Sequence, residues 1–184
     1  YSLWIKNLVD TENKLVYQEN TDGTLTVIGV TDPFIMICSI PEKYEGKTIT
    51  IINDYAFSEL SYLHVISIPS TITRIGECVF KSSSYIDSII VAEENKNYKT
   101  IENVLYSKDE TSIIQYPTGK SSGEYVIPDT VTNIGSGAFY GAHLSSITIP
   151  VSVKTIGDKA FMYSDITEIT LPDNLISIGE EAFG

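Results

Sequence analysis

A 22-residue period runs through this chain. The run Leu144-Ser-Ser-Ile-Thr-Ile-Pro-Val-Ser-Val-Lys-Thr-Ile-Gly-Asp-Lys-Ala-Phe161 returns almost in register as Ile166-Thr-Glu-Ile-Thr-Leu-Pro-Asp-Asn-Leu-Ile-Ser-Ile-Gly-Glu-Glu-Ala-Phe183. Pro128, Pro150 and Pro172 are spaced by 22 residues, as are Gly135, Gly157 and Gly179, and Phe139, Phe161 and Phe183. A period in this range, with apolar residues locked to fixed offsets, specifies a solenoid whose units touch only their neighbours.

Each unit reads L-x-x-I-x-I-P-x-x-V-x-x-I-G-x-x-A-F. The alternation in Ile147-Thr148-Ile149 is that of a half-buried strand. Pro150 ends the strand because it has no N–H for a ladder. Val153 and Ile156 return the chain along the opposite side of the coil. Gly157 supplies either a backbone angle or a close approach that a Cβ would block. Ala160 suits a tight turn, and Phe161 fills the wide interior. Burying the apolar residues of one coil does not offset the entropy of ordering it, so the coil persists only when its neighbours pair strands and stack Phe on Phe.

The chain divides into an N-terminal β cap, residues 1–39, and one continuous solenoid, residues 40–184. In the cap, Leu15-Val16-Tyr17 and Leu25-Thr26-Val27-Ile28 flank Asn20-Thr21-Asp22-Gly23, a hairpin signal. Trp4 and Ile5 fit a preceding strand or a short helix. The first coil runs from Ile40-Pro41 to Ala56-Phe57, with Lys43 to Lys47 looped out. It has Ile52-Asn53 where Ile-Gly is usual, which suits a positive φ because Asn visits that region more readily than other side chains. The second coil is Leu63 to Phe80. The third keeps Ile86, Ile89 and Val91 but has Ala92 in place of proline and no Ile-Gly-x-x-Ala-Phe. Residues 103–107 and 112–117 read instead as an inserted β-hairpin, near 101–117, whose Leu105, Ile114 and Tyr116 fill the gap in the Phe column. The template resumes at Tyr125-Val126-Ile127-Pro128.

Ile-x-Ile-Pro-x-x-Val-x-x-Ile-Gly-x-x-Ala-Phe resembles the BspA-like leucine-rich repeats. The insertion Val104-Leu105-Tyr106-Ser107-Lys108-Asp109 is similar to one common in that family, and the segment 13–32 is similar to its N-terminal modules. The resemblance covers residues 40–184. It implies a β-rich, right-handed leucine-rich-repeat superhelix on secreted or surface-anchored microbial proteins that adhere to host proteins or other cells, with no catalytic residues. Where the commoner pattern has Cys after Ala-Phe-x-x, this chain has Leu60, Ser83, Ala142 and Ser164.

The net charge of −12, with no basic cluster, argues against nucleic acid and anionic membrane surfaces as partners. No apolar run is long enough to span a bilayer, so no membrane insertion is expected within these residues. The absence of an initiating Met and a leader fits a mature or excised piece of an exported protein. Cys38 falls on an inward offset and Cys78 on the outward offset of Lys159 and Glu181, so no disulfide is expected. His64 and His143 lack zinc-ligand spacing, and Glu93-Glu94-Asn95 and Asp109-Glu110 read as solvated loops rather than Ca²⁺ sites. No catalytic constellation, metal site or cofactor is expected.

The functional candidate is therefore a surface. Strand residues between the inward apolar ones face out, and successive coils are expected to align them on one sheet. That sheet would show His64, Ser67, Asp87, Ser88, Ser145, Ser146, Thr148, Thr167, Glu168 and Thr170, with Val65, Ile90 and Val126 among them. The expected role is a non-enzymatic adhesion or protein-interaction module, extracellular or at the cell surface, with an extracellular or host protein as partner. A structural spacer is the alternative, as is a carbohydrate-binding module using Tyr85, Tyr98, Tyr140 and Tyr163, which are not template core positions.

Overall fold

The computed structural model describes residues 7–120 and 122–184, and the readings for Trp4 and Ile5 lie outside them. Every helix or strand among the described residues is a strand. The chain opens with an antiparallel meander of β1 (Asn7–Asp10), β2 (Leu15–Glu19) and β3 (Leu25–Val30). The expected hairpin is β2–β3, with Gly23 at φ 81 in its turn. Leu15, Tyr17, Leu25 and Val27 are buried. β3 then pairs in parallel with β6 (Lys47–Ile52), setting Leu25 beside Ile49, so the cap continues the ladder of the first coil.

Six rungs, A to F, follow. Their outbound strands are β4 (Ile37–Ser39), β7 (Val65–Ile68), β9 (Ser88–Val91), β13 (Ser122–Val126) and β15 (Leu144–Thr148). Residues 166–171 of rung F have no strand partner. The return path, read above only as a way back, carries a second parallel ladder of short strands. It consists of β8 (Arg74–Ile75) on β6, and of β14 (Asn133–Ile134), β16 (Thr155–Ile156) and β17 (Ser177–Ile178) in sequence. The Lys43–Lys47 segment is a tight hairpin of β5 (Lys43–Tyr44) on β6, with Glu45 and Gly46 both at positive φ, as a two-residue turn between twisted strands requires.

Between the two roles left open for the template glycine, the structure selects close approach. A Cβ on Gly157 would lie 2.5 Å from the Ser136 nitrogen, and one on Gly76 would lie 2.5 Å from that of Asp54. The left-handed residues of the turns are instead Tyr55, Cys78, Gly137, Lys159 and Glu181, each two before the rung's Phe, and Glu59, Ser82, Gly141 and Tyr163, each two after it. The reason given for Asn53 therefore fails, since Asn53 is not among the residues at positive φ. Asn53 is tolerated because its preceding neighbour is strand β3, with the Asn53 N–H donating to the Val27 carbonyl, and not another rung's turn.

The aromatic column exists as two stacks. Phe57 stacks on Phe80 with centroids 5.9 Å apart, and Tyr116, Phe139, Phe161 and Phe183 stack at 5.4, 5.1 and 5.3 Å with nearly parallel planes. Of the three residues expected to fill the gap in rung C, Tyr116 alone joins the ring stack. Leu105 is buried in the core of the N-terminal rungs, and Ile114 packs against that core.

The insertion is larger than a hairpin. β10 (Tyr98–Ile101), β11 (Val104–Ser107) and β12 (Ser112–Gln115) form an antiparallel meander, and β12 pairs in parallel with β14. With rung C's turn displaced, rungs B and D touch directly. The Cys78 N–H donates to the Ser136 carbonyl at 3.3 Å, and a Cβ on Gly137 would lie 3.1 Å from the Cys78 sulfur. Cys78 is thus only 4 % exposed, against the outward orientation expected from its offset. Both cysteines are free thiols. The solvated-loop reading of Glu93-Glu94-Asn95 holds for Glu93 and Glu94, which are exposed, but not for Asn95. Asn95 is buried, donating to the Pro69 and Ile72 carbonyls and accepting from the Asn97 and Tyr98 amides, and so fastens the insertion to rung B.

Two expectations follow. Phe161→Ala should cost about 3–5 kcal/mol, the range for truncating a buried Phe, and more than Thr148→Ala, read from urea-unfolding midpoints of both variants. Gly157→Ala should cost on the order of 1–3 kcal/mol by forcing two rungs apart. Gly123→Ala, whose Cβ would meet only the Ser145 hydroxyl at 3.6 Å, should stay within about 0.5 kcal/mol of wild type.

Candidate interaction surface

The outbound strands do not form one continuous sheet. β4, β7 and β9 make a three-stranded sheet, β13 and β15 a separate two-stranded one. The single sheet expected from the repeat is interrupted: no ladder joins β9 to β13 among the described residues, although the lead into β13 touches rung C, the Gly119 N–H donating to the Ile86 carbonyl. Thr167, Glu168 and Thr170 are exposed but belong to no strand.

The remaining expected positions fall on the two sheets. Ser67 and Ser88 are half-buried on the first, beside Ile37, Val65 and Ile90, with Ser67 registered against Ser39 and Ile90. His64 and Asp87 lie at its entry, joined Nδ1 to Oδ2 at 2.7 Å across adjacent rungs. Ser145, Ser146 and Thr148 stand on the second sheet, with Ser146 beside Glu124 and Thr148 beside Val126, and the Ser145 hydroxyl donates to the Gly123 carbonyl. His143 repeats the cross-rung motif with Asp165, also at 2.7 Å. No group of three or more His, Cys, Asp or Glu residues that could hold a metal ion occurs among the described residues.

The two sheets differ in chemistry. The second is mostly hydroxyl-bearing, as expected of the whole face. The first is apolar at its entry: Phe34, Met36, Ile37, Tyr62, Tyr85 and Ile90 are each between 49 % and 67 % exposed. The phenyl ring of Phe34 packs against Tyr62 at 5.4 Å, and His64 approaches Tyr85 at 6.2 Å. All but Ile90, which lies within β9, precede or begin the outbound strands of three successive rungs, so the coil repeat stacks them in a strip. Phe34 and Met36 lie upstream of the first complete template, where period reading does not reach. Tyr62, one residue before the template's leading Leu63, could have been found by aligning rung entries. The aromatic positions proposed for sugar binding separate. Tyr85 and Tyr163 are exposed, Tyr140 is buried, and Tyr98 is half-buried with its hydroxyl accepting from the Ile75 N–H.

Beside the strip lies a cleft of about 490 Å³ between the β1–β2 turn (Glu12, Asn13 and Lys14) and the lead into rung A (Phe34 to Ile37 and Ser39). Asp10 builds the far wall. Its carboxylate accepts from the amides of Glu12 and Asn13, the Asn13 side chain and the Tyr17 hydroxyl, all at 2.8–3.1 Å. Burial alone would raise the acid's pKa, but these donors outweigh it and hold the carboxyl below its ordinary range. Lys14 is held by Asp32 at 2.6 Å, leaving Glu12 as the charged lining residue without a salt-bridge partner among the described residues.

A carboxyl with a depressed folded-state pKa stabilises fully above its unfolded pKa and loses that contribution as pH falls. The wild-type stability advantage over Asp10→Asn should therefore be largest at neutral pH and shrink below about pH 4, as measured by urea midpoints across the acid limb.

The sequence matches the model described as BspA type Leucine rich repeat region in six copies, over residues 34–122 and 118–184. Among curated proteins none matches. Several solved structures are similar, among them the following three. The pneumococcal vaccine antigen PcpA is 25 % identical with a TM-score of 0.62, the alignment covering 74 % of this chain and 40 % of that one. A leucine-rich repeat protein from Eubacterium ventriosum is 19 % identical with a TM-score of 0.64, covering 95 % and 68 %. A leucine rich cell surface protein from Faecalibacterium prausnitzii is 21 % identical with a TM-score of 0.57, covering 97 % and 52 %. The last two show the shared fold, and the chain spans about half or less of the length of the first and third. With matches over nearly all of its solenoid, this protein belongs to the BspA type leucine-rich repeat family.

Proposed function

We propose that the chain is a non-enzymatic adhesion or protein-interaction module, working outside the cell or at its surface, and that it binds through the outbound face of rungs A to C. The observation that carries this is the exposed strip of Phe34, Met36, Ile37, Tyr62, Tyr85 and Ile90. Contiguous apolar surface on a soluble domain marks a contact site more often than scattered single residues do, and repeat proteins use such faces for binding. His64, Ser67, Asp87 and Ser88 supply the polar rim an interface core needs. Support for the location comes from the similar proteins, one a vaccine antigen and another a cell surface protein by name.

A protein partner fits this strip better than a glycan. The rings of Phe34 and Tyr62 are tilted 57° to one another and offer no shared plane for stacking sugar rings.

The test is retention of extracellular-matrix and cell-surface proteins on immobilised chain. Ile37→Lys combined with Ile90→Lys should lower retention by about tenfold or more, the loss of roughly 1.4 kcal/mol, with the unfolding midpoint unchanged. Thr148→Lys on the second sheet should leave retention intact. Equal retention by all three proteins would reject this face.

A further inference from the structure

We propose that the free edge of β4 takes an extended, basic peptide segment as an added strand, seated in the cleft between β4 and the β1–β2 turn. This rests on the reading of the rung A–C face as the binding surface and names the partner's form and charge.

Two hydrogen bonds determine which edge is free. The Met36 carbonyl accepts from Val65 at 3.2 Å, and the Ile40 N–H donates to Ser67 at 3.0 Å, so both groups face β7. Backbone groups alternate sides along a strand. The N–H and C=O of Ile37 and Ser39 therefore point away from β7, toward the cleft they line. β4 ends its sheet, and no strand pairs with that edge among the described residues.

Exposed edges are normally blunted, because a row of open donors and acceptors templates another chain. This molecule blunts a comparable one. The Ile75 N–H, on the side of β8 away from β6, donates to the Tyr98 hydroxyl at 2.9 Å. Among the described residues no such cap covers β4, and its open side adjoins a cleft of ligand-binding size. A strand satisfies alternate N–H and C=O groups along an edge, which is how sheets recruit peptides. Its outward side chains would lie beside Ile37 and the Phe34–Tyr62 pair.

Charge selects the occupant. Lys14 is already neutralised by Asp32, so Glu12 sets the sign of the cleft. The chain's net charge is −12, so a second copy meets repulsion where a Lys-bearing segment is attracted.

The experiment titrates the intact chain with the capped peptide acetyl-Lys-Val-Lys-Val-Lys-Val-amide and follows backbone amide exchange. The Ile37 and Ser39 amides should slow by about tenfold or more at saturation. Glu12→Lys should weaken binding, and a Glu-for-Lys peptide should bind that variant better than wild type. Ser39→Pro removes one cleft-facing donor and leaves the bonds to β7 in place, so it too should weaken binding. Two peptides, N-methylated at every Val or at every Lys, bracket the register, and at least one should lose affinity.

No binding at millimolar peptide, or equal affinity of the parent and both methylated peptides, would overturn the proposal. Binding that protects Val65 and Ile90 but not Ile37 and Ser39 would also overturn it, while leaving the apolar face as a contact surface. Loss of protein capture in the Ile37→Lys, Ile90→Lys variant is scored separately, so the two readings fail independently.

Discussion

The separation between neighbouring rungs governs this structure. Parallel strands hold their backbones about 4.8 Å apart, and aromatic rings favour offset stacking at slightly larger centroid distances. The column at 5.1–5.9 Å meets both demands with rings tilted no more than 23° from their neighbours. The same spacing explains the glycine. At Gly157 the preceding rung's turn passes so close that a Cβ would overlap the Ser136 nitrogen. Backbone strain is taken up elsewhere, by the non-glycine residues Tyr55, Cys78, Lys159 and Glu181, held left-handed two before Phe57, Phe80, Phe161 and Phe183. One distance thus dictates the ladder, the aromatic filling and the bare position.

The insertion shows what happens when a rung cannot keep that spacing. Rung C loses its turn, and three separate residues repair the loss. Tyr116 restores a ring to the column, Tyr98 caps the exposed amide of β8, and Asn95 ties the new strands to rung B. Cys78 and Gly137 close the remaining space by direct contact. The repair restores core packing but not the outbound sheet, which stays divided. That division separates an apolar face on rungs A to C from a hydroxylated face on rungs D and E.

Legibility followed the same lines. Period and alternation suffice for the rungs, the cap hairpin and the Phe column, because those depend on each rung matching the next. Whatever depends on a rung meeting something other than its template neighbour is hidden. Cys78 reads as outward by offset and is buried because its real neighbour is two rungs on. Asn53 reads as a positive-φ residue and is not, because its neighbour is the cap. Tyr98 and Tyr140 fall outside the template core, yet one caps a strand and the other is buried beside the ring of Tyr163. The apolar strip begins before the first template, at Phe34 and Met36. The His64–Asp87 pair was accessible in principle, since the two residues share one template offset on adjacent rungs.

An exposed apolar strip next to an open strand edge would ordinarily invite self-association. Here it coexists with a net charge of −12. Like charge slows the approach of a second copy and favours cations at any distance within the Debye length. On the binding proposed for this face, the acidic surface and the apolar strip would act together: the charge would discriminate against the chain itself, the strip would supply contact area, and the short β4 edge would offer directional hydrogen bonds. The acidic composition, read from the sequence as an argument against nucleic acid and anionic membranes, would on the same proposal become a specificity element, because the fold places the β4 edge beside Glu12.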